Sequence, residues 1–242
     1  MTESDHPQDG VICQSAWDRA PIKVFHLLKE KTRELDAETS LGELWVNELR
    51  NNVRDGIGYK LAMRTIEIWS AWAPEICAFT GTDADIKPEE VAGLLEATAV
   101  ANFIKHTTGK STSNRRLEDS TETEWKEQIK EARPDVVLCG GLELFNVVWR
   151  RYSEGLESRK RPRRHDPERR NWGLAYGEVS ENMEYFLYDG CIYLQFYHPS
   201  YYGKTQVCQL KTLYKSATAL REVRSSKKIG SSGSGVGYKE HN

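Results

Sequence analysis

Short apolar runs that alternate with helical patterns constrain the fold of this chain more than any other feature. Asp135–Cys139, DVVLC, is one such run, and Ile22–Leu28 and Ala97–Ile104 have the same character. A strand that is covered on both faces shows this pattern, because neither face meets water. Each run is followed by a segment with helical periodicity, so repeated strand-helix units predict a parallel sheet between layers of helices.

The helices are predicted from apolar spacing and from end signals. Ala62, Ile66, Trp69 and Ala73 are spaced by four, three and four residues, which is the apolar stripe of a helix packed on a sheet. Further helices are predicted at Ser40–Asn51, from Pro88, from a Thr121/Glu124 capping box to Arg133, after Gly140–Gly141, and from Val207 to Ala217. The predicted fold class is α/β, a three-layer α/β/α sandwich with a short, mainly parallel central sheet.

The chain is expected to contain one domain. Asp189-Gly190 between two apolar runs predicts a hairpin. We assign residues 1–21 to a loose N-terminal arm, residues 22–224 to the domain, and residues 225–242 to a flexible tail that contains GSSGSG.

Composition favours a soluble, cytoplasmic protein without a metal or cofactor. No run of 18 apolar residues exists, and the polar first ten residues lack a signal-peptide core. The five cysteines are far apart and form no CxxC pair, which excludes the usual zinc and iron-sulfur spacings. We expect them to be reduced and buried, and we expect no membrane partner.

A basic segment, residues 159–170, interrupts an otherwise acidic chain. It holds seven Arg or Lys against two acids, a net charge of +5, so the remainder carries −7 of the total −2. Arg161, Arg163 and Arg164 in this loop are candidates for contacts with DNA phosphates. A solvated surface loop is the equal alternative.

The segment KHTTGKSTS is similar to a phosphate-binding P-loop but lacks its first glycine, because Ile104 occupies that position. A nucleotide triphosphatase is therefore disfavoured. The glycine- and hydroxyl-rich turn that remains can hold a phosphodiester through Gly109, Lys110, Ser111 and Ser113.

Three polar residues are predicted to meet at the carboxyl ends of strands, where ligands bind in open α/β sheets. His198 follows the strand CIYLQF on the same face as Phe196, Asn102 lies inside an apolar run, and Glu30 follows the first strand. Asn102 is either satisfied by the backbone or reads a base edge, since a buried amide needs partners. Glu30 is either a helix-start or solvated charge, or a member of this site.

The order of these motifs resembles the uracil-DNA glycosylase superfamily. Glu30 comes after strand one, Asn102 lies in AVANFIKHTTGKS, RPDVVLCGG precedes a helix, and HPS ends a strand. The resemblance covers residues 22–220. It implies the superfamily's fold and a monomeric, monofunctional enzyme that hydrolyses the bond between a base and deoxyribose in single- or double-stranded DNA.

The resemblance also implies residue roles. Glu30 would stabilise the sugar cation and orient water, His198 would donate a hydrogen bond to the departing base, and Asn102 would hold the base edge. Thr32 replaces an aromatic residue that in uracil-specific members blocks the pyrimidine C5 position, which leaves space for a substituent there. The resemblance therefore implies removal of a damaged or modified base, either in DNA repair or, where the base is a bulky modified pyrimidine of phage DNA, in antiviral defence. Ser200, Tyr201 and Tyr202 would contact DNA, the tyrosines as a wedge that fills the space of the flipped base. Alternatively, both tyrosines simply cover the last helix.

Two other functions remain open. A DNA- or base-binding module that kept the fold without catalysis fits the altered first motif, Leu28 to Thr32. A nuclease is disfavoured, because no acidic pair adjoins the predicted site to hold a divalent metal.

Overall fold

The computed structural model describes residues 10–30, 41–51, 56–74, 87–104, 117, 123–153, 176–180, 183–199 and 206–230. The strands are β1 (Gly10–Val11), β2 (Val24–Glu30), β3 (Ala99–Ile104), β4 (Val136–Gly140), β5 (Tyr176–Ser180), β6 (Met183–Tyr188) and β7 (Cys191–Phe196). The helices are α1 (Gln14–Arg19), α2 (Leu41–Arg50), α3 (Ile57–Trp72), α4 (Pro88–Glu96), α5 (Glu124–Ala132), α6 (Leu142–Ser153) and α7 (Gln206–Gly230).

The strands form one seven-stranded sheet in the order β1-β3-β2-β4-β7-β6-β5. The four central strands are parallel, whereas β1 and the β5-β6 pair run antiparallel to their neighbours. The sheet is therefore mixed, where the sequence predicted a mainly parallel one. The predicted hairpin accounts for β6, whereas β1 and β5 were not predicted as strands.

Helices cover both faces of the sheet. One face packs Phe25, Val137 and Tyr193 with α5 and α6 residues such as Trp125 and Phe145. The opposite face divides into two clusters, in which β-strand side chains pack against α2, α3, α4 and α7. The mixed α/β class is thus confirmed, and helices on two faces of one sheet are compatible with three layers.

The parallel strands are buried on both faces, which explains their apolar sequences. Every residue of β3 and of β4 is buried. The predicted helices around them are present, and α4 begins as expected, with Pro88 in its first turn and the Glu90 carboxylate accepting a hydrogen bond from the Lys87 N–H at 3.2 Å. Helix α5 begins after Thr123, and Thr121 of the predicted capping box lies outside the described residues.

The hairpin is confirmed. Asp189 and Gly190, between β6 and β7, have φ angles of 49° and 74°. Two consecutive positive φ angles are typical of the tight turns that match the twist of paired strands, and Asp-Gly is among the best sequences for them.

The prediction of a loose N-terminal arm is wrong from Gly10 onward, because this part of the chain packs on the domain. Residues 10–11 pair with β3, and the indole of Trp17 on α1 is 1% exposed and donates to the Ala132 carbonyl at 3.3 Å. One large aromatic residue in a polar segment was enough to fix it to the body. At the other end, α7 extends to Gly230 and so includes the first six residues of the predicted tail.

The cysteines in the described part of the chain form no disulfide bond with one another. Cys139 and Cys191 are buried free thiols as predicted, whereas Cys13 is only partly buried. Within the same residues, no helix is long and apolar enough to cross a membrane.

Candidate functional site at the carboxyl edge of the sheet

The four parallel strands end along one edge of the sheet, which we call the carboxyl edge. Glu30 and Ile104 end β2 and β3 in register, and Gly140 and Phe196 end β4 and β7 in register. The chain moves outward from β2 to β3 on one side and from β4 to β7 on the other. The switch point therefore lies between β2 and β4, where ligands bind in sheets of this kind.

A row of four residues crosses the sheet just before this edge. Asn102 is in register with Leu28, and Gly140 is in register with Phe196. Leu28 and Gly140 are neighbours, since the preceding pair is Leu27 and Cys139. A strand spacing of about 4.8 Å separates the β3 and β4 backbones by roughly 10 Å, the scale of one flat heterocycle with its hydrogen-bonding groups.

His198 is brought back over this row. It lies two residues beyond β7 and is partly buried, and its Cδ2 atom lies 3.5 Å from the position that a Cβ at Gly140 would occupy. The same Cβ would lie 3.2 Å from the Leu27 carbonyl oxygen. Gly140 therefore leaves the space that lets the imidazole approach the switch point. We call Asn102, Leu28, Gly140 and His198 the carboxyl-edge site.

The imidazole of His198 is neutral at physiological pH. Burial lowers its pKa to about 4, helped by the positive charges of Arg64, Lys29 and Lys60. A neutral imidazole has one N–H donor and one acceptor nitrogen. His198 can thus donate a hydrogen bond without bringing a charge of its own.

Arg64 supplies the buried charge. Its side chain is on α3, is 3% exposed, and donates to the Oε1 atom of Gln209 at 3.3 Å. The guanidinium carbon lies 4.6 Å from the centre of the Phe196 ring, within the range of a cation-π contact. Burial lowers the Arg64 pKa to about 9, so the group is still a cation at neutral pH.

Two lysines complete the positive surroundings. The Lys60 ammonium donates to the carbonyl oxygen of Pro199, next to His198, at 3.0 Å. The Lys29 ammonium forms an ion pair with Glu143 at 3.1 Å. Gly141, at φ 115°, passes close to this pair, since a Cβ there would lie 3.2 Å from Lys29 Cε.

Asn102 is 2% exposed on β3, two strands away from β4. A carboxamide has both donors and acceptors, as a base edge has. Together with the neutral imidazole it forms a polar pair around an apolar Leu28, inside a positive field. Such a site suits a flat heterocycle on which negative charge develops.

Of the predicted site residues, the structure brings Asn102 and His198 to one edge of the sheet. Glu30 is the last residue of β2 at the same edge, and its side chain lies outside the described part of the chain. The other predicted site residues also lie outside the described residues: Thr32, Gly109, Lys110, Ser111, Ser113, Arg161, Arg163, Arg164, Ser200, Tyr201 and Tyr202.

Sequence reasoning missed Arg64, Lys60 and Gly140. A signal for Arg64 was present, because Leu61, Arg64, Ile68 and Trp72 follow a helical spacing, and all four are buried. An arginine within a second apolar stripe is unusual enough to mark a site. Gly140 was interpreted only as part of a turn.

Two cavities in the described part of the chain lie at the opposite, amino-terminal edge. One, of 790 Å³, is lined by Trp17, Lys23 and Arg133 among others, and the second, of 710 Å³, by Tyr152, Tyr188 and Tyr193. Both cavities are therefore remote from the switch point.

The described residues contain no group of three or more His, Cys, Asp or Glu that could hold a metal ion.

Comparison with known proteins found no matching family model, no matching curated protein and no matching solved structure.

Proposed function

We propose that the protein is a DNA glycosylase, with a fold of the uracil-DNA glycosylase type, that hydrolyses the N-glycosidic bond of a flipped-out base. One observation carries the proposal. The neutral imidazole of His198 leans over Gly140 at the switch point, and buried Asn102 lies in register beside Leu28 on the same face. An amide and an imidazole at the carboxyl ends of parallel strands are groups that can hold and polarise a base.

The electrostatics support this reaction. Breaking the glycosidic bond leaves negative charge on the base and positive charge on the sugar. His198 donates a hydrogen bond to the departing base, and the charges of Arg64 and Lys60 favour electrons that move onto it. A preorganised donor of this kind contributes about 3 kcal/mol, or roughly a hundredfold in rate.

The sugar side of the reaction is assigned from the sequence. Glu30 ends β2 at the same edge and, in this proposal, stabilises the sugar cation and orients the attacking water. Thr32, two residues later, replaces a bulky aromatic residue, so the proposed substrate is a pyrimidine with a substituent at C5. Removal of such bases from phage DNA is the proposed biological setting.

The test is excision from DNA of known base content. Purified protein is incubated with uracil-containing, mismatched and naturally modified phage DNA, and abasic sites are detected by alkali cleavage. We expect cleavage of modified DNA, and a loss of about a hundredfold in His198→Ala. Arg150→Gln, an exposed change on α6, is the control and should retain full activity.

A DNA-binding measurement distinguishes an enzyme from a catalytically inactive binding protein. DNA binding without abasic sites on any substrate would identify a catalytically inactive binding module of the same fold. Full excision by His198→Ala and by Glu30→Gln would contradict the roles given to these residues.

A further inference from the structure

Arg64 is a deeply buried cation for which the described residues supply no matching acid. Its side chain is 3% exposed, and no carboxylate among the described residues forms an ion pair with it. Its contacts there are the amide oxygen of Gln209 and the ring of Phe196. Burying a charge is costly unless a counter-charge or several hydrogen bonds compensate it, and one neutral amide is weak compensation.

The guanidinium is held in a defined orientation. The Phe196 ring lies against it, with its centre 4.6 Å from the guanidinium carbon, and Gln209 accepts one hydrogen bond from its edge. A guanidinium has five N–H donors, so further donors remain along its edge. Two parallel N–H donors match the two oxygens of a carboxylate or phosphate.

Other positive groups converge on the same place. Phe196 ends β7 two residues before His198, and Lys60 donates to Pro199, the residue after it. The Lys29 charge nearby is balanced by Glu143, whereas the Arg64 charge has no such carboxylate partner among the described residues. Arg64, Lys29 and Lys60 all act on the His198 imidazole as positive charges. The field around the imidazole is therefore positive.

We propose that Arg64, Lys60 and His198 form an oxyanion subsite of the carboxyl-edge site, which takes a carboxylate or phosphate group of the ligand. This deepens the proposed function and rests on it, because it assigns a negative group to the DNA nucleotide in the site. The oxyanion has two sources, an acidic substituent on the base or a phosphodiester beside the flipped nucleotide. Both present two or more oxygens to the guanidinium edge.

Binding of small probes to the full chain tests the subsite without catalysis. Calorimetry compares uracil-5-carboxylate with thymine, which has a neutral methyl at the same position, and inorganic phosphate with chloride at equal ionic strength. We expect at least about tenfold tighter binding of one anion than of its control, as one charge-assisted contact provides. A preference for uracil-5-carboxylate identifies the base as the source, and binding of phosphate alone identifies the backbone.

Substitutions assign the effect to Arg64. Arg64→Gln should reduce the anion preference by at least about tenfold, and Arg64→Lys should restore part of it, with thermal melting showing that each variant folds. Arg150→Gln should leave it unchanged. If the wild-type protein binds neither anion better than its control, or if Arg64→Gln keeps the full preference, the subsite does not exist.

The binding experiments can fail or succeed independently of the excision test of the proposed function. Anion binding that depends on Arg64, in a protein that excises no base, leaves the subsite in place and removes the glycosylase. Excision of bases with no anion preference removes the subsite and retains the glycosylase.

Discussion

The Nε2 atom of His26 on β2 lies 3.1 Å from the Oγ1 atom of Thr65 on α3, with both side chains buried. Thr65 Oγ1 donates to the Leu61 carbonyl at 3.1 Å, so its oxygen accepts the hydrogen from His26. This bond joins the sheet to the helix that carries Arg64 and Lys60. The positive groups of the site are thereby fixed relative to the strands.

We expect the free energy of unfolding to fall at acidic pH because of the buried His26. Burial, with the Arg64 charge, lowers its pKa from 6.5 to about 3 in the folded protein, so between these pH values the unfolded chain binds a proton that the folded protein does not. Its stabilising effect is therefore complete above pH 6.5 and is lost as the pH falls. We expect the free energy of unfolding to drop by about 2 kcal/mol from pH 6.5 to pH 5 on account of this residue.

The comparison with His26→Gln isolates this effect from the carboxylates. Urea unfolding at each pH should give a shallower pH dependence for the variant, whatever its stability at neutral pH. Parallel curves for the two proteins would mean that His26 binds its proton at the same pH in the folded and unfolded states.

Gly140→Ala should damage the site, because the added Cβ meets the Leu27 carbonyl at 3.2 Å and the His198 ring at 3.5 Å. We expect a loss of about 1 to 3 kcal/mol in unfolding free energy and reduced base excision. Gly93→Ala on α4 is the matched control, since nothing lies within 4 Å of its Cβ. That variant should be more stable by about 0.5 to 1 kcal/mol, with unchanged activity.

Equal stability of the two glycine variants in chemical denaturation would show that the end of β4 yields without cost. The close approach of the imidazole would then not depend on glycine.

Trp17→Ala should destabilise the protein by about 3 to 5 kcal/mol, as expected for a fully buried aromatic residue that also donates a hydrogen bond. Arg19→Ala, an exposed change on the same helix, should alter it by less than about 0.5 kcal/mol. Thermal and urea unfolding measure both. A small effect of Trp17→Ala would restore the view that this segment is a loose arm.

Arg64→Gln should move the acid limit of activity to higher pH. After burial, Arg64 is the largest cause that lowers the His198 pKa to about 4, so removing its charge raises that pKa toward 6.5. In the proposed reaction, catalysis by a neutral imidazole would then fail at a less acidic pH, which a pH-rate profile of the proposed base excision detects. An unchanged profile would show that the charge of Arg64 does not reach His198.

Local patterns were sufficient to predict much of the fold. DVVLC and AVANFI became β4 and β3 because continuous apolar runs are stable only between two covered faces, and Asp189-Gly190 became a turn because both residues tolerate a positive φ. Trp17 shows the limit. Its partner, the carbonyl of Ala132, lies 115 residues away, and no local pattern contains that contact.

The positions of the candidate site residues were predicted only in part. Asn102 and His198 can be recognised in the sequence because a polar side chain in or directly after an apolar strand is costly to bury unless it is hydrogen-bonded. Arg64 and Gly140 acquire their roles only from the packing of α3 on β7 and of the His198 ring on β4, which are contacts across the sheet. Periodicity predicts which face of a helix or strand a residue occupies, but it does not predict which residue of another element packs against that face.

The antiparallel outer strands have a consequence for the motion of the site. Because β1 pairs with the start of β3 and β6 pairs with the start of β7, the strands β2 and β4 at the switch point lie deep inside the sheet, with a paired parallel strand on each side. Their amide hydrogens can exchange with solvent only when the middle of the sheet opens as a unit, and we expect them to be the slowest in the molecule to do so. The groups beneath a bound ligand would then form a rigid platform.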